Sequence, residues 1–427
     1  MSKRKTIEKL VSLGLSTAEI SKQTGAHERW VRRVGSPLRR KLQGLEPEGL
    51  PPAHAAVPPE PPTYDADKDR LNQEYWKSEA SELRSRYKKA LKEAALVDRL
   101  ISDIHAVAPA SYRIHGTPPV VKKADDDTNP VSAVLMLSDS HVGKEVQAGQ
   151  TLGFGGYTNL TYLDRLQFLE DSVVSIAHDH TYAPVNELVV LLLGDIIDGA
   201  LIHSVEAGQV QTLFGQYFVA AHSIAQFLRN LAQHFPIVRV ETVVGNHPRW
   251  ANQKKMPTTN RYSNLDMFVY ATIQALVKDV PNIHIQLDKQ PFKTVQVQNS
   301  VLLIAHGDHL RGGDKALGIP AHAIGRQLSN LSQLFGKNEL RLPNFYCFGD
   351  KHKEMTLPHA NGKIFMNGSF VGLDNYALAE NFAAVDPEQK LFFIHPKYHL
   401  GAQYAISLKH APVGGARYDL PEGLLDW

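Results

Sequence analysis

Five apolar segments between residues 131 and 349 end with Asp, Asn or His at or just past the last apolar position. The segments are V-S-A-V-L-M-L-S, E-L-V-V-L-L-L-G, I-V-R-V-E-T-V-V-G, S-V-L-L-I-A-H and N-F-Y-C-F-G. The polar residues, in order, are Asp139 and His141, Asp195 and Asp198, Asn246 and His247, His306, and Asp350 and His352. Any one of these motifs is more often a turn or a helix cap. Five in order are hard to explain as turns.

The elements that must position these side chains are buried strands. Continuous β-rich runs alternate with helical patterns over residues 131–427, which indicates an α/β architecture. Ligands gather outside the carboxyl ends of strands in open α/β sheets. We therefore expect the five strand ends to bring their carboxylates, amide and imidazoles to one crevice.

Such a mixed set of oxygen and nitrogen donors suits Mn²⁺, Fe or Zn²⁺ better than Ca²⁺. Two cations roughly 3.5–4 Å apart can hold a phosphate and activate a water molecule for in-line attack. The donor types therefore favour phosphoester chemistry.

The motifs D-S-H, G-D-I-I-D, G-N-H, a lone His and G-D-K-H resemble the calcineurin-like metallophosphoesterase superfamily. Its pattern is D-x-H, G-D-x-x-D, G-N-H-[DE], H and G-H-x-H, and the resemblance covers roughly residues 135–370. It implies a four-layer α/β/β/α sandwich around a dinuclear metal centre.

The resemblance also implies roles for the polar residues. One metal ion would be bound by Asp139, His141 and His352, the other by Asn246, His306 and Asp350, with Asp195 bridging both. His247 would face the scissile phosphate and protonate the leaving oxygen, and Asp198 would orient that imidazole. We expect two divalent metal ions, Mn²⁺ first, with Mg²⁺, Fe or Zn²⁺ as alternatives.

Two positions depart from the superfamily pattern. Pro248 stands where Asp or Glu is usual, and Asp350 replaces the first His of G-H-x-H. A carboxylate can still bind a metal ion and is a harder donor, which shifts the preference toward Mn²⁺ or Mg²⁺. We expect Asp350 to bind the second metal. Loss of that metal is the alternative.

Length, net charge, cysteine content and the pattern of apolar runs indicate where in the cell this protein acts. The chain has 427 residues, a net charge of +2 and one cysteine, Cys347, which argues for a reducing compartment. The N-terminus has no apolar signal region, and no apolar run approaches the ~20 residues of a membrane span. We expect a cytoplasmic protein of a bacterial or phage-infected cell, without a membrane partner.

The charge is concentrated near the N-terminus. Residues 1–41 hold eleven Lys and Arg against three Glu, an asymmetry typical of a nucleic-acid-binding module. Residues 16–34 resemble a helix-turn-helix, with a capping pair Ser16 and Glu19 and a turn at Gly25. Residues 27–33 would be the recognition helix, and its cations are Arg29, Arg32 and Arg33. The alternative is a basic helical hairpin that contacts protein.

The chain therefore divides into five segments. They are a basic helix-turn-helix-like module (1–42), a Pro-rich linker (43–63), a long helix (64–107), a second linker (108–130) and the metallophosphoesterase domain (131–427). Apolar residues over 66–107 follow a 3.5-residue period, which favours a coiled-coil homodimer. The alternative is a long helix packed on the next domain.

The predicted function is a DNA-directed nuclease that hydrolyses phosphodiester bonds with a metal-activated water. The superfamily includes nucleases of the Mre11/SbcD kind, and the likeness to them is limited to the metal centre. A polar loop after His247 carries further candidate phosphate-binding residues, Lys254, Lys255 and Arg261. One alternative is a nucleotide or protein phosphatase. Another is a DNA-binding protein with an inert phosphatase-like domain.

Overall fold

A computed structural model describes residues 129–426, apart from 154, 182, 200–211, 250–263, 291, 311–320, 338–339, 360, 375–376 and 379–384. Before residue 129 it describes residues 7, 10, 11, 13, 16–24 and 31, and seven positions between 77 and 102. The chain divides into two compact units, residues 1–79 and residues 80–427. Each unit is described by itself.

The first unit contains helix α1, Thr17–Thr24. The Ser16 backbone N–H donates to Glu19 Oε2 over 2.8 Å, and the Glu19 N–H donates to Ser16 Oγ over 3.3 Å. This reciprocal pair is the predicted capping box, which satisfies two N–H groups that the first helical turn leaves without partners.

A small apolar core lies beside this helix. It consists of the buried side chains Ile7, Val11, Ile20 and Val31. Ile20 lies on α1, and Val31 follows the end of that helix by seven residues. The predicted cations Arg29, Arg32 and Arg33 lie outside the described residues, so the helix-turn-helix stays a prediction.

The seven described positions between 77 and 102 are helical. None of them belongs to the predicted apolar seam of the long helix, so the coiled coil also stays a prediction.

The second unit is built of strands and helices in alternation. Its strands are β1 (Val131–Leu137), β2 (Val185–Leu192), β3 (Ile237–Thr242), β4 (Ile283–Gln286), β5 (Lys293–Val297), β6 (Ser300–Ala305), β7 (Phe345–Phe348), β8 (Met355–His359), β9 (Gly362–Met366), β10 (Glu388–His395) and β11 (His399–Ser407). Its α-helices are α2 (Asn159–Asp179), α3 (Leu213–Leu231), α4 (Leu265–Leu276) and α5 (Ala321–Lys337). Short 3-10 turns cover Ala148–Thr151 and Leu424–Asp426. The five predicted strands are β1, β2, β3, β6 and β7.

The strands form two sheets. The first has the order β11-β10-β1-β2-β3-β4 and the second the order β5-β6-β7-β9-β8. Strands β1 to β4 are parallel, whereas β10 pairs antiparallel with β1. Within β1, Leu135 lies opposite Val190 of β2 on one side and Leu391 of β10 on the other.

Successive side chains of each strand pack into different layers because they point to opposite faces of the sheet. Val134 and Met136 of β1 pack against the second sheet, in a cluster with Leu302 and Phe345. Leu135 belongs instead to the core that α2, α3 and α4 share with the first sheet. Helix α5 covers the other face of the second sheet. The predicted four-layer α/β/β/α sandwich is confirmed.

The residues after β11 bind the outer helices. Asp164 of α2 accepts the backbone N–H groups of Gly414 and Ala416 over 2.9 and 3.0 Å. The Tyr418 hydroxyl donates to Glu170 over 3.0 Å. This segment therefore anchors α2 from outside the sheet. No helix in the described part of the chain is long and apolar enough to cross a membrane.

Candidate metal centre

All nine residues predicted for the metal centre lie in the described part of the chain, in loops that follow β1, β2, β3, β6 and β7. Backbone hydrogen bonds connect the first two loops: the Asp139 N–H donates to the Gly194 carbonyl over 3.0 Å, and the His141 N–H to the Asp195 carbonyl over 3.1 Å. The neighbouring parallel strands thus fix the relative positions of their ligand residues.

The backbone at these positions is unusual. Eight described residues other than glycine have positive φ angles, and five of them are predicted metal ligands. The five are Asp139, His141, Asp195, Asp350 and His352. A non-glycine residue in this conformation costs about 1–3 kcal/mol and persists only where the surrounding structure holds it. Such conformations often cluster at functional sites, and here they cluster at the predicted ligand positions.

Two glycines of the motifs make room for the carboxylates. A Cβ atom on Gly245 would overlap Asp195 Oδ1, and one on Gly349 would lie 2.6 Å from Asp139 Oδ2. Each glycine therefore allows a neighbouring strand end to close on an aspartate. Close packing against these aspartates explains why the motifs G-N-H and G-D-K-H contain a glycine.

The first donor group contains Asp139, His141 and His352, whose ligand atoms lie within 4.8 Å of one another. His141 Nε2 is 3.1 Å from His352 Nε2, and His352 Nε2 is 3.3 Å from Asp139 Oδ1. Two imidazole nitrogens and a carboxylate oxygen thus converge on one point, as they would around a cation. These are the three residues predicted for the first metal ion.

The second donor group contains Asp139, Asp195 and His306, also within 4.8 Å. His306 Nε2 lies 3.1 Å from Asp195 Oδ2 and 3.0 Å from Asn246 Oδ1. Asp350 approaches less closely, with its Oδ1 3.5 Å from His306 Nε2. The residues predicted for the second metal ion are therefore together, and Asp350 lies at the edge of the group.

The histidines present the correct nitrogen for metal binding. His306 Nδ1 lies 2.7 Å from the Leu193 carbonyl oxygen, and His141 Nδ1 lies 3.1 Å from Asp198 Oδ1. An oxygen acceptor at Nδ1 holds the proton there, so Nε2 keeps its lone pair for a metal ion. The donor set and its hydrogen-bond partners therefore fit a pair of divalent cations.

Asp350 divides its contacts between the centre and its neighbour. Its Oδ2 forms a close ion pair with the Lys351 ammonium, and its backbone N–H donates to Asp139 over 3.1 Å. The carboxylate that replaces the usual imidazole therefore faces the centre with one oxygen and a cation with the other.

His247 lies beside the two donor groups. Its ring centroid is 4.5 Å from that of His141, and its backbone N–H donates to Asp195 Oδ1 over 2.8 Å. His247 Nδ1 is 3.3 Å from the carbonyl oxygen of Asp198 and 3.5 Å from its Oδ1. Since Asp198 Oδ1 is closer to His141, this carboxylate holds both imidazoles, whereas the sequence assigned it to His247 alone.

The charges of the centre depend on one another. Burial opposes ionisation of Asp195, but the adjacent His306 holds the pKa of this carboxyl well below its usual range. Burial, followed by the charge of His247, lowers the pKa of His141 to about 4. Asp195 is thus held ionised and His141 neutral, which are the protonation states that metal binding requires. Burial lowers the pKa of His306, but the charge of Asp195 raises it well above its usual value overall.

Sequence reasoning missed Asp266, which supports the centre from the start of α4. Its fully buried carboxylate accepts the backbone N–H groups of Asp195, Ile196 and Gly245 over 3.0, 3.2 and 2.9 Å. Burial raises the pKa of Asp266 to about 7. Asn264, the N-cap of α4, donates to the Gly245 carbonyl over 2.8 Å. The signal was the N-L-D sequence before an apolar helix, a typical helix start.

The predicted DNA-contact residues Lys254, Lys255 and Arg261 lie outside the described residues. Their role stays a prediction.

No model of a protein family matches this chain, and no curated protein matches it.

Solved structures resemble the chain at low identity. Vps29 of Cryptosporidium parvum is 13% identical, covers 65% of this chain and 100% of its own, and has a TM-score of 0.29. A predicted phosphoesterase of Streptococcus pneumoniae TIGR4 is 10% identical, covers 65% and 98%, and has a TM-score of 0.26. An archaeal phosphodiesterase is 9% identical, covers 64% and 99%, and has a TM-score of 0.29. At such values, the substrates and partners of these proteins do not transfer to this chain.

Proposed function

We propose that this protein is a metal-dependent phosphodiesterase that acts on DNA. The observation that carries the proposal is the pair of donor groups sharing Asp139, with His247 directly beside them. Such residues would hold cations that neutralise a phosphate, and His247 would supply the proton for its leaving oxygen.

The metal ions, when bound, would neutralise the phosphoryl oxygens and make a water molecule nucleophilic at neutral pH. The residues that would hold them are Asp139, His141, His352, Asp195, Asn246, His306 and Asp350. The chain's own task is to keep these donors in place and to provide the proton for the leaving oxygen.

His247 is suited to the proton transfer. The backbone contact to Asp195 and the two contacts to Asp198 fix the ring next to the centre. Its Nδ1 faces Asp198, and Nε2 is the nitrogen that would donate a proton to the leaving oxygen. The side chain is 13% exposed, enough to be reached from the crevice.

DNA is favoured by the charge of the sequence. The N-terminal excess of eight positive charges and the basic loop after His247 both match a polyanionic substrate. The alternative, a phosphomonoesterase that acts on nucleotides or proteins, would use the same centre and differ only in substrate recognition.

A substrate panel tests the proposal. We expect bis-p-nitrophenyl phosphate and linear or single-stranded DNA to be hydrolysed with Mn²⁺ and not with EDTA. If p-nitrophenyl phosphate is the only substrate that is hydrolysed, the protein is a phosphatase and not a nuclease. No turnover together with no bound metal would support the inert-domain alternative.

The variant His247→Gln identifies the proton donor. We expect kcat on the diester to fall by about 10²–10⁴-fold while the bound metal stays the same, since general acid catalysis contributes about this much. His284→Gln is the matched control, because His284 is an exposed histidine of β4. Equal rates for both variants would exclude this role of His247.

A further inference from the structure

Two ion pairs are formed by residues that follow predicted site residues closely in sequence, and each joins a cation and an aspartate from different loops. Lys144, three residues after His141, forms a close ion pair with Asp374. Arg249, two residues after His247, donates from Nη2 to Asp308 Oδ2 over 3.3 Å.

The Lys144 pair belongs to the side of the first donor group. The backbone N–H of Lys144 donates to the His141 carbonyl over 3.0 Å, so the backbone of Lys144 is bound directly to that of a predicted metal ligand. Its ammonium interacts electrostatically with Asp198 and with His247, so it lies in their neighbourhood. Asp374 in turn interacts electrostatically with His352. The ammonium therefore lies within the field of the catalytic pair and of the first donor group.

Asp374 is held rigidly. Its Oδ1 accepts the Ala377 N–H over 2.8 Å, and its side chain is 8% exposed. A carboxylate fixed in this way orients the lysine ammonium, which would otherwise sample many rotamers.

The Arg249 pair belongs to the side of the second donor group, because Asp308 follows His306 by two residues. The backbone around Arg249 is fixed by a bridge to Asn264 and by the Leu265 N–H, which donates to the Pro248 carbonyl over 2.8 Å. The guanidinium is 34% exposed and faces Asp308, whose side chain is 15% exposed.

A cation beside each donor group has a chemical consequence. An ammonium has three N–H donors and a guanidinium five, so a contact with one carboxylate leaves capacity for a phosphate oxygen. Bound metal ions would already neutralise the scissile phosphate. Cations placed on both sides therefore match further phosphates, which a polynucleotide has and a mononucleotide lacks.

We propose that Lys144 and Arg249 are specificity-determining residues that bind the phosphates flanking the scissile one, so that the site takes a polynucleotide strand. This inference rests on the proposed phosphodiesterase function and names its substrate at the same site.

Inhibition of bis-p-nitrophenyl phosphate hydrolysis tests the inference at the active site alone. The inhibitors are phosphorothioate-linked oligothymidylates with one, two or three phosphates, which keep their charge and are cleaved slowly. For the wild type we expect Ki to fall by about tenfold or more from one phosphate to three, since tenfold in affinity is ~1.4 kcal/mol. An unchanged Ki would overturn the inference.

Variants test whether the two cations cause the fall in Ki with the number of phosphates. Lys144→Gln and Arg249→Gln should each lose part of the length dependence, while Lys144→Arg and Arg249→Lys should keep most of it. The matched controls are Lys409→Gln and Arg417→Gln, which remove exposed cations paired with Asp386 and Asp171. Full length dependence in the Gln variants would overturn the assignment.

Failure of the proposed function looks different. If the full-length wild type does not hydrolyse the small diester with Mn²⁺, the proposed phosphodiesterase function is wrong. In that case, the rise in Tm of the same variants on binding the same oligothymidylates measures the contacts with the flanking phosphates, and no turnover is needed. Protection that does not depend on length, or does not depend on Lys144 and Arg249, contradicts the inference.

Discussion

At the scale of single residues, Asp350 distinguishes this candidate centre from the motif pattern that its sequence resembles. Its carboxylate adds a negative charge where an imidazole would be neutral, and the Lys351 ammonium balances that charge from the next position in the chain. One oxygen still faces His306. The D-K pair therefore keeps the net charge of the site close to that of a neutral His ligand while offering a harder donor.

We predict that Asp350→Ala loses one of two bound metal equivalents, because the second donor group then keeps fewer oxygen ligands. Asp350→His should keep both and shift its preference from Mn²⁺ toward Zn²⁺, which accepts imidazole readily. Metal analysis after dialysis against each ion measures both effects.

Asp386→Ala is the matched control for these substitutions, since Asp386 is a half-exposed carboxylate paired with Lys409. Two metal equivalents in Asp350→Ala would show that this carboxylate is not a ligand.

The sequence predicted that these nine residues come together because each follows a strand, and strand ends meet in space; their roles stay predictions. It could not predict that Lys144 pairs with Asp374 or Arg249 with Asp308, since these partners are 230 and 59 residues apart in the chain. Their positions depend on loop geometry, which apolar periodicity does not encode.

At the scale of elements, the start of α4 supports the loops after β2 and β3. Asp266 accepts an N–H from each of Asp195, Ile196 and Gly245. A lost acceptor leaves a buried N–H without a partner, at a cost of about 1–3 kcal/mol for each group. The helix therefore holds the residue that is predicted to bridge the two metal ions.

We predict that Asp266→Ala lowers the Tm by several degrees and weakens metal binding, although Asp266 is not a ligand. Asp288→Ala removes a carboxylate that accepts a single N–H, that of Gln290 over 3.2 Å, and serves as the control. Thermal denaturation with and without Mn²⁺ measures both effects. Equal Tm values and equal metal content for the two variants would contradict the supporting role of Asp266.

Five strands were predictable from their continuous apolar runs, whereas the pairing order was not. Strand β8 has no fully buried residue, and its sequence M-T-L-P-H lacks a clear strand pattern. Strand β10 inserts antiparallel beside β1, far away in sequence. Only the tertiary structure determines such a partner.

At the scale of the whole molecule, the chain joins a basic N-terminal unit to a sandwich that holds the candidate centre. The sequence predicts a Pro-rich linker between them over residues 43–63, which would be extended and semi-rigid. In such an arrangement, DNA affinity and small-substrate turnover reside in different parts of the chain.

We therefore predict that deletion of residues 1–63 weakens DNA binding and flattens its salt dependence, because fewer phosphate contacts release fewer counterions. The rate on bis-p-nitrophenyl phosphate should stay within about twofold of the full-length protein. DNA titrations at several salt concentrations measure the first effect. Unchanged affinity and slope would show that the N-terminal unit does not bind DNA.

The hydrogen bonds beside Asp139 also bear on biosynthesis. The Ser138 N–H donates over 3.0 Å to Gln389, 251 residues later in the chain. At about 5–20 residues per second, a ribosome needs roughly 10–50 s to make the intervening polypeptide. During that time one edge of β1 is unpaired, because its partner β10 has not yet been synthesised. A nascent chain therefore passes a long interval in which that edge of β1 is exposed to wrong pairing.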